Sequence, residues 1–170
     1  MTEVIIRPAE PADLPRLTEL YNHYIAKTPI TFDLAPFSVD QRRAWFDHYR
    51  DGGRHQLLIA LAGAAGEELV GYASSSTFRP KAAYDTSVET SVYIDPGWTG
   101  LGIGRKLYER LFAALAEEDV HRAYAGITLP NPASVALHER FGFVYIGVFS
   151  HAGRKFGRYW DVAWYEKHLA

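Results

Sequence analysis

Residues 86–115 read TSVETSVYIDPGWTGLGIGRKLYERLFAAL, and this stretch decides the fold class of the chain. Its first part, residues 86–94, is rich in β-branched and aromatic side chains and predicts a strand, which an Asp-Pro-Gly turn ends. Its last part predicts a helix from about residue 102 to 118, because isoleucine or leucine recurs every four residues. A turn with three closely spaced glycines joins the two elements. This order of strand, glycine turn and amphipathic helix is typical of proteins that combine helices with a sheet.

The same kinds of signal continue on both sides of this stretch. Further strands are predicted at residues 4–6, 56–62, 69–77, 122–129, 143–149 and 159–164. Further helices are predicted at residues 13–26, from residue 38 to before Gly52, and at 134–141. Helices and strands alternate, hairpins join some of the strands, and no linker or repeat divides the chain. We therefore predict one α/β or α+β domain over residues 1–170.

The composition is that of a folded globular protein, with 48% hydrophobic and 22% charged residues among 170. A formal net charge of −2 gives the molecule no attraction to nucleic acid or to an anionic membrane, so neither is an expected partner. The absence of cysteine excludes disulfides, thiolate zinc sites and an acyl-cysteine intermediate. The sequence shows no signal peptide and no apolar run of the ~20 residues that a membrane span needs, which predicts a soluble, cytoplasmic protein.

The glycine turn has the features of an anion-binding loop. It consists of Thr99, Gly100, Leu101, Gly102, Ile103, Gly104 and Arg105. Glycine lets the backbone approach a ligand closely, and the first turn of the following helix offers free N–H groups and a partial positive charge. Arg105 and Lys106 add side-chain cations, so a cofactor with a pyrophosphate is a reasonable ligand. The spacing does not fit a dinucleotide fingerprint, which needs glycine where Arg105 or Leu107 stands, and the Gly-Lys-Ser/Thr of a P-loop is absent.

Taken alone, such a turn is equally compatible with a loop that binds nothing, but its context points further. The pattern G-x-G-x-G-R, followed by Leu-Tyr on a helix, resembles the acetyl-CoA loop of the GNAT superfamily of N-acetyltransferases. A second segment, NPASVALHERFGF at residues 131–143, is similar to the part of that family that lies beside the pantetheine arm. Thr99 departs from the family, which has Gln or Arg at this position, so we expect Thr99 to contribute only its hydroxyl and backbone.

Further matches resemble one branch of that superfamily, the phosphinothricin and methionine sulfoximine acetyltransferases. They are Ser-x-x-Leu-His-Glu at 134–139, Ala83-Tyr84-Asp85, Val88-Glu89, Val92-Tyr93, Leu129-Pro130-Asn131, Phe156-Gly157 and Trp160-Asp161-Val162. The matches occur in order and span nearly the whole chain. The resemblance implies a GNAT-like mixed central sheet with helices on both faces, in which two strands splay apart to admit CoA.

The resemblance also implies that Glu89 is the general base. Strand side chains alternate, so Glu89 shares a face with Ser91 and Tyr93, and without the family it would be interpreted as a solvated position. Acyl transfer needs a neutral amine, yet most alkyl amines are protonated near pH 7, so a base must take a proton. His138 lies at the family position that faces the departing thiolate, where it could protonate the sulfur or share the base role. The sequence leaves these two roles open.

The same resemblance implies which residues bind the two reactants. Acetyl-CoA would be held by Val92, Tyr93, Ile94, Thr99, Gly100, Leu101, Gly102, Ile103, Gly104, Arg105, Asn131 and Ser134. A backbone N–H near residues 92–94 would stabilise the charge that develops on the thioester carbonyl. The amine substrate would contact Phe32, Arg79, Lys81 and Tyr84. In that set the cations of Arg79 and Lys81 would bind a carboxylate. Tyr84 would contribute a hydroxyl, and Phe32 would complete an apolar wall.

These inferences predict an acetyl-CoA-dependent N-acetyltransferase that acts on the α-amine of a small amino acid analogue, such as phosphinothricin, methionine sulfoximine or methionine sulfone. No metal is predicted, because the histidines have no metal-ligand spacing. Two alternatives stay open. A sensor would bind acyl-CoA without catalysis and would not need Glu89. A protein or peptide N-acetyltransferase would need an open, often acidic groove.

Aromatic residues near the end of the sequence bear on assembly. Tyr159, Trp160, Trp164 and Tyr165 offer more aromatic surface than one strand face buries easily, and aromatic residues are enriched at interfaces. The branch that the chain resembles is commonly dimeric. We therefore predict a homodimer, with completion of the monomer core as the alternative.

Overall fold

Seven strands form one mixed sheet in the computed structural model, which describes residues 3–49, 52–63 and 67–169. The strands are β1 Ile5–Pro8, β2 Leu57–Ala62, β3 Glu68–Thr77, β4 Ser87–Ile94, β5 Arg122–Thr128, β6 Val144–Lys155 and β7 Arg158–His168. The α-helices are α1 Leu14–Lys27, α2 Val39–Asp47, α3 Ile103–Leu115 and α4 Pro132–Arg140. The strand order across the sheet is β1-β2-β3-β4-β5-β7-β6. The mixed α/β prediction is confirmed.

The centre of the sheet contains the splayed pair of strands. β4 and β5 run parallel, and their ladder covers only Ser87–Glu89 against Arg122–Tyr124. Beyond Glu89, β4 remains paired with β3 on its other side, and β5 remains paired with β7. The facing edges of β4 and β5 therefore part after Glu89 and leave backbone N–H and C=O groups available to a ligand.

Helices cover both faces of the sheet, as predicted. On one face α3 presents Leu107, Leu111 and Leu115 at four-residue spacing, and all three are fully buried with Val88 of β4. The α4 helix packs against the edge of the same cluster. On the opposite face, leucines of α1 and aromatic residues of α2 pack over β2 and β3. Burial of these apolar stripes is the main force that holds the helices to the sheet.

The elements near the end of the chain are longer than predicted. The sequence predicted strands at 143–149 and 159–164, whereas β6 extends to Lys155 and β7 to His168. An irregularity between Phe149 and Gly153 lets β6 shift register and continue pairing through a polar stretch. Because β6 is an edge strand, its polar side chains other than Lys155 remain in contact with solvent and do not oppose strand formation.

The remaining boundaries agree closely with the sequence. Ser38 caps α2 as predicted, because its hydroxyl accepts from the Gln41 N–H while the Gln41 side chain accepts from the Ser38 N–H. The predicted hairpin of β2 and β3 forms, although its tip at residues 64–66 lies outside the described residues. In the described part of the chain, no helix combines the length and apolar character required to cross a membrane. The cytoplasmic location stays a prediction.

Candidate active site

A cavity of about 460 Å³ opens where β4 and β5 part, and we call it the glycine-loop cavity. Its wall includes every residue predicted to hold acetyl-CoA except Leu101. Those residues are Val92, Tyr93, Ile94, Thr99, Gly100, Gly102, Ile103, Gly104, Arg105, Asn131 and Ser134. Leu101 does not line the cavity, because its side chain stands 63% exposed between two glycines of the turn. His138 contributes to the wall from α4.

The backbone of the loop explains its glycines. Gly100 and Gly102 have φ angles of 75° and 78°, a left-handed conformation that other residues adopt only at a cost. Gly102 is also the N-cap of α3, and no side chain caps this end of the helix. The first N–H groups of α3 therefore remain available to an anion, with the helix dipole reinforcing the attraction. Gly104 is needed for a different reason, since a Cβ there would lie 3.3 Å from Leu137 of α4.

The polar side chains of the loop are arranged around the same space. Arg105 lies at the rim of the cavity and forms a 3.7 Å ion pair with Glu109 one turn further along α3. The Thr99 hydroxyl donates to the Pro96 carbonyl at 3.2 Å, so it also holds the turn in shape. Asn131 caps α4 by accepting from the Ser134 N–H. Lys106 is half-buried and does not line the cavity.

A second cavity of about 350 Å³ adjoins the first, and we call it the Glu89 cavity. The two cavities share wall residues from three parts of the chain: Ile30, Ser91, Tyr93, Gly126 and Thr128. Phe32, Phe149 and Trp164 add aromatic surface to the second cavity. Glu89 is the last residue of β4 that pairs with β5, immediately before these two strands part. A molecule in either cavity can thus reach the other through the gap.

The carboxylate of Glu89 is placed to accept a proton. Among the described residues, no hydrogen bond or ion pair engages it. Burial raises the pKa of Glu89, and the positive charge of Arg79 partly opposes that increase. A carboxylate with a raised pKa and no partner is a stronger base than an ordinary surface glutamate.

The imidazole of His138 is in a different situation, because both of its nitrogens already have partners. Its Nε2 lies 2.8 Å from the Tyr108 hydroxyl, and its Nδ1 lies 2.7 Å from the Ser134 carbonyl oxygen. The side chain is only 3% exposed, and burial lowers the pKa of His138. The structure therefore separates the two predicted catalytic residues, with Glu89 in one cavity and His138 in the wall of the other.

The four predicted substrate residues divide into two groups. Phe32 lines the Glu89 cavity. Arg79 lines neither cavity, but it lies beside the Glu89 cavity, because its guanidinium is 4.3 Å from the Phe78 ring and 5.8 Å from the ring of Trp164, which lines that cavity. Lys81 and Tyr84 are exposed and line neither cavity, because they belong to a short surface turn that carries the chain from β3 to β4. Both residues therefore lie outside the two cavities, and their contact with the substrate stays a prediction.

Sequence reasoning missed several residues that shape the Glu89 cavity. Lys155 is 4% exposed and donates from Nζ to the carbonyl oxygen of Thr31 at 2.8 Å, which ties the 28–37 loop to β6. Gly153 lies directly beneath Phe32, since a Cβ there would come within 2.2 Å of the ring. Gly126 lies beneath Trp164, since a Cβ there would come within 3.1 Å of the indole. Glycine inside a strand often marks such a close approach, and this signal was available in the sequence of β5.

The functional groups in the Glu89 cavity are a carboxylate and several hydroxyls. In the described ranges of the chain, no group of three or more His, Asp or Glu side chains could hold a metal ion. The two cavities instead combine an uncapped helix terminus, a gap between strands and a free carboxylate. This arrangement can place a phosphorylated cofactor and a small second molecule at one point and remove a proton there.

Comparison with known proteins agrees with this geometry. A profile of the acetyltransferase (GNAT) family matches residues 17–143. The phosphinothricin N-acetyltransferase of Streptomyces coelicolor is 56% identical over 167 residues, which cover 98% of this chain and 97% of that protein. The L-methionine sulfoximine/L-methionine sulfone acetyltransferase of Pseudomonas aeruginosa is 34% identical over 164 residues, which cover 96% of this chain and 94% of that protein.

Solved structures show the same similarity. A GNAT superfamily phosphinothricin acetyltransferase from Sinorhizobium meliloti, crystallised in complex with acetyl-CoA, matches with a TM-score of 0.91 at 31% identity. The match covers 98% of this chain and 89% of that chain.

Proposed function

Since the chain belongs to the acetyltransferase (GNAT) family of N-acetyltransferases, we propose that it transfers the acetyl group of acetyl-CoA to the α-amine of a small amino acid analogue. The observation that carries this proposal is the meeting of two cavities where β4 and β5 part. One cavity has a site for a phosphorylated cofactor, and the other has a free carboxylate. We also propose that residues 1–170 form one catalytic domain.

The residues of the glycine-loop cavity fit acetyl-CoA. The uncapped N-terminus of α3 and the left-handed glycines would hold its pyrophosphate, with Arg105 adding charge. The free edges of β4 and β5 would accept the polar amides of its pantetheine arm. When bound, acetyl-CoA supplies a thioester carbonyl that an amine can attack. A backbone N–H of residues 92–94 would stabilise the negative charge that develops on that carbonyl oxygen.

Glu89 is the proposed general base. The substrate amine arrives mostly as an ammonium ion, and Glu89 removes one proton directly or through a water molecule. The neutral nitrogen then forms a bond to the acetyl carbon as the carbon–sulfur bond breaks, and the nitrogen releases its second proton to water to give the neutral amide. We assign this role to Glu89 alone, because His138 lies in the wall of the other cavity. A thiol has an ordinary pKa of ~8.5, so the departing sulfur can take its proton from water.

The Glu89 cavity suits a small amino acid with a polar head group. Its volume of about 350 Å³ is small for a peptide groove, and it combines hydroxyl groups with aromatic walls. Arg79 stands beside it and would attract a carboxylate. The names of the relatives from Streptomyces coelicolor and Pseudomonas aeruginosa support phosphinothricin, methionine sulfoximine and methionine sulfone as first candidates.

We also propose that the protein is a homodimer, although the surface differs from the one that the sequence suggested. Tyr165 is buried and Trp164 is half-buried, so these two aromatic residues help to complete the monomer. Tyr159 of the predicted set is exposed, and five further large exposed apolar side chains lie on the edge strand β6. They are Val144, Tyr145, Ile146, Val148 and Phe149. Contiguous exposed apolar surface of this kind is characteristic of protein interfaces. Light scattering at working concentration should give twice the monomer mass, and a monomer mass would reject the dimer.

A panel of amines tests the proposed function. Release of free thiol from acetyl-CoA would be measured with the three amino acid analogues, with spermidine, with an aminoglycoside and with a peptide. We expect release with the analogues and little with the polycations, whose charge would be repelled by Arg79. The absence of release with every amine would favour a sensor, whereas release with the peptide only would favour a protein N-acetyltransferase.

A further inference from the structure

The hydroxyl of Tyr108 and the imidazole of His138 meet between α3 and α4, the two helices that border the glycine-loop cavity. Tyr108 Oη lies 2.8 Å from His138 Nε2, and both side chains are buried. The two rings also pack edge to face, with centroids 5.2 Å apart. The contact joins the middle of α3 to the second half of α4, close to the residues of both helices that line the cavity.

The hydrogen bonds fix the position of the imidazole proton. A carbonyl oxygen can only accept, so the 2.7 Å contact with the Ser134 oxygen requires a proton on Nδ1. A neutral imidazole then has a lone pair on Nε2, which accepts from the Tyr108 hydroxyl at 2.8 Å, whereas the other acceptor of that hydroxyl, Thr90 Oγ1, is farther away at 3.4 Å. One ring nitrogen donates and the other accepts, so neither retains a proton or a lone pair for a ligand in the cavity.

The surroundings of the ring favour this neutral form. Its hydrogen-bond and ring contacts in the described part of the chain are Tyr108, Ser134 and Phe143. The phenol is the one titratable group among them, and burial raises the pKa of Tyr108 well above its ordinary value. The phenol thus keeps its proton, and the hydrogen bond to His138 keeps its direction near neutral pH.

We propose that Tyr108 and His138 are positioning residues, whose hydrogen bond holds α4 against α3 and fixes Asn131 and Ser134 beside the glycine loop. His138 moves no proton during acetyl transfer. This role differs from both roles that the sequence predicted for the histidine. It rests on the proposed use of the glycine-loop cavity by acetyl-CoA. The close packing of the two helices at Gly104 supports it, because even a Cβ added there would lie only 3.3 Å from Leu137 of α4.

Nitrogen NMR of the native protein tests the proposal without any activity measurement. The His138 signals would be assigned by their loss in His138→Gln. We expect one protonated nitrogen and one lone-pair nitrogen, with no titration between about pH 6 and 8, where a free histidine changes charge. Tyr108→Phe should shift the lone-pair signal, because it removes the donor. A proton on Nε2, or a charged ring at pH 7, would overturn the proposal.

Binding and turnover of three variants provide a second test. Glutamine at 138 can still accept from Tyr108 but cannot titrate, whereas leucine cannot accept. We expect Tyr108→Phe and His138→Leu to weaken acetyl-CoA binding by about tenfold in calorimetry, and His138→Gln to keep kcat within about fivefold of the native value. Tyr49→Phe, which removes a buried phenol hydroxyl outside both cavities, should leave binding unchanged.

The opposite pattern would identify a proton-transfer role. The proposal is wrong if His138→Gln loses about 10²-fold or more in kcat while acetyl-CoA still binds normally. Failure of the proposed function would look different. The native protein would then not bind acetyl-CoA, while the NMR result for the imidazole would be unaffected. If a variant does not fold, the NMR measurement on the native protein still decides between the two roles.

Discussion

The two cavities that meet between β4 and β5 are built in different ways. The glycine-loop cavity draws most of its wall from two stretches of sequence, 90–105 and 125–138. The Glu89 cavity takes two or three residues from each of five places, namely the 28–37 loop, β4, β5, β6 and β7. The first site is therefore mostly local in sequence, whereas the second exists only once the sheet has formed.

This difference has a functional consequence. A cofactor shared by many enzymes can be bound by a loop and a helix that stay together in the sequence. A substrate pocket assembled from distant segments can change with single substitutions in any of them, without disturbing the cofactor loop. Variants of each cavity should accordingly affect one reactant and leave the other unchanged.

Removal of the base at the meeting point should produce the largest loss. General acid–base catalysis contributes roughly 10²–10⁴-fold, so Glu89→Gln should lower kcat by about that factor without changing acetyl-CoA affinity. Burial raises the pKa of Glu89, and the native rate should increase as the pH rises through that pKa. The variant should recover part of its rate at high pH, where more of the amine is neutral. Rate against pH at saturating substrates measures both effects.

Glu117→Gln is the matched control for this prediction. Glu117 is exposed just beyond α3 and lines neither cavity, so its replacement should leave the pH profile unchanged. Normal turnover of Glu89→Gln at neutral pH would eliminate Glu89 as the base.

Substitution of Gly153 should change binding of the amine substrate without changing binding of acetyl-CoA. A Cβ at this position would come within 2.2 Å of the Phe32 ring, so Gly153→Ala must displace Phe32 from the wall of the Glu89 cavity. Small misplacements near a reacting centre are costly, and we expect KM for the amine to rise by roughly tenfold or more with acetyl-CoA affinity unchanged. Gly147→Ala, on the same strand with open space around its Cβ, should leave KM unchanged.

A double variant sharpens this test. Once Phe32→Ala has removed the ring, Gly153→Ala should add little further loss, because the two residues act through one contact. Additive losses would show that Gly153 acts by another route.

Particular residues show how far the sequence could predict these sites. Gly102, Asn131 and Glu89 were predicted from short motifs in which spacing carries the information, and all three line the two cavities. Trp164, which lines the Glu89 cavity, and Lys155, which holds the Thr31 backbone in its wall, were missed, because both depend on the placement of β7 between β5 and β6. Lys81 was predicted to act with Arg79 because the two are close in sequence, but the surface turn places Lys81 outside both cavities. Periodicity predicts elements, but it does not predict which distant strands become neighbours.

Substitution of Gly102 should change binding of acetyl-CoA without changing the Glu89 cavity. A Cβ there would meet nothing within 4 Å, so the effect of Gly102→Ala comes from its φ of 78°. The left-handed conformation costs other residues roughly 1–2 kcal/mol, which would shift the loop and weaken acetyl-CoA binding by about tenfold. Gly157→Ala carries the same strain at a φ of 72° in the turn between β6 and β7, and it should leave binding unchanged. If calorimetry gave both variants the same affinity for acetyl-CoA, the glycine loop would not be part of the acetyl-CoA site.

The smallest effect is expected beside the Glu89 cavity, where Arg79 is exposed to solvent. Water and salt screen an exposed charge, so Arg79→Ala should lower kcat/KM for methionine sulfoximine by only about three- to fivefold. The positive charge of Arg79 opposes the increase in the pKa of Glu89. Its removal should raise that pKa further and move the rising limb of the pH profile to higher pH. Arg43→Ala, which removes an exposed cation of α2, should change neither quantity.

An esterified substrate separates the two contributions of Arg79, one to binding the carboxylate and one to the pKa of Glu89. If Arg79 attracts the carboxylate, the native enzyme should prefer the free acid over its methyl ester, and Arg79→Ala should lose much of that preference. The shift of the pH profile should persist with the ester, because it depends on Glu89 and not on the substrate carboxylate. If Arg79→Ala kept the preference for the free acid but shifted the pH profile of the rate, Arg79 would affect only the pKa of Glu89. The carboxylate would then have to be bound elsewhere, and the first residue to test would be Lys155, a buried cation that donates to the carbonyl oxygen of Thr31 in the cavity wall.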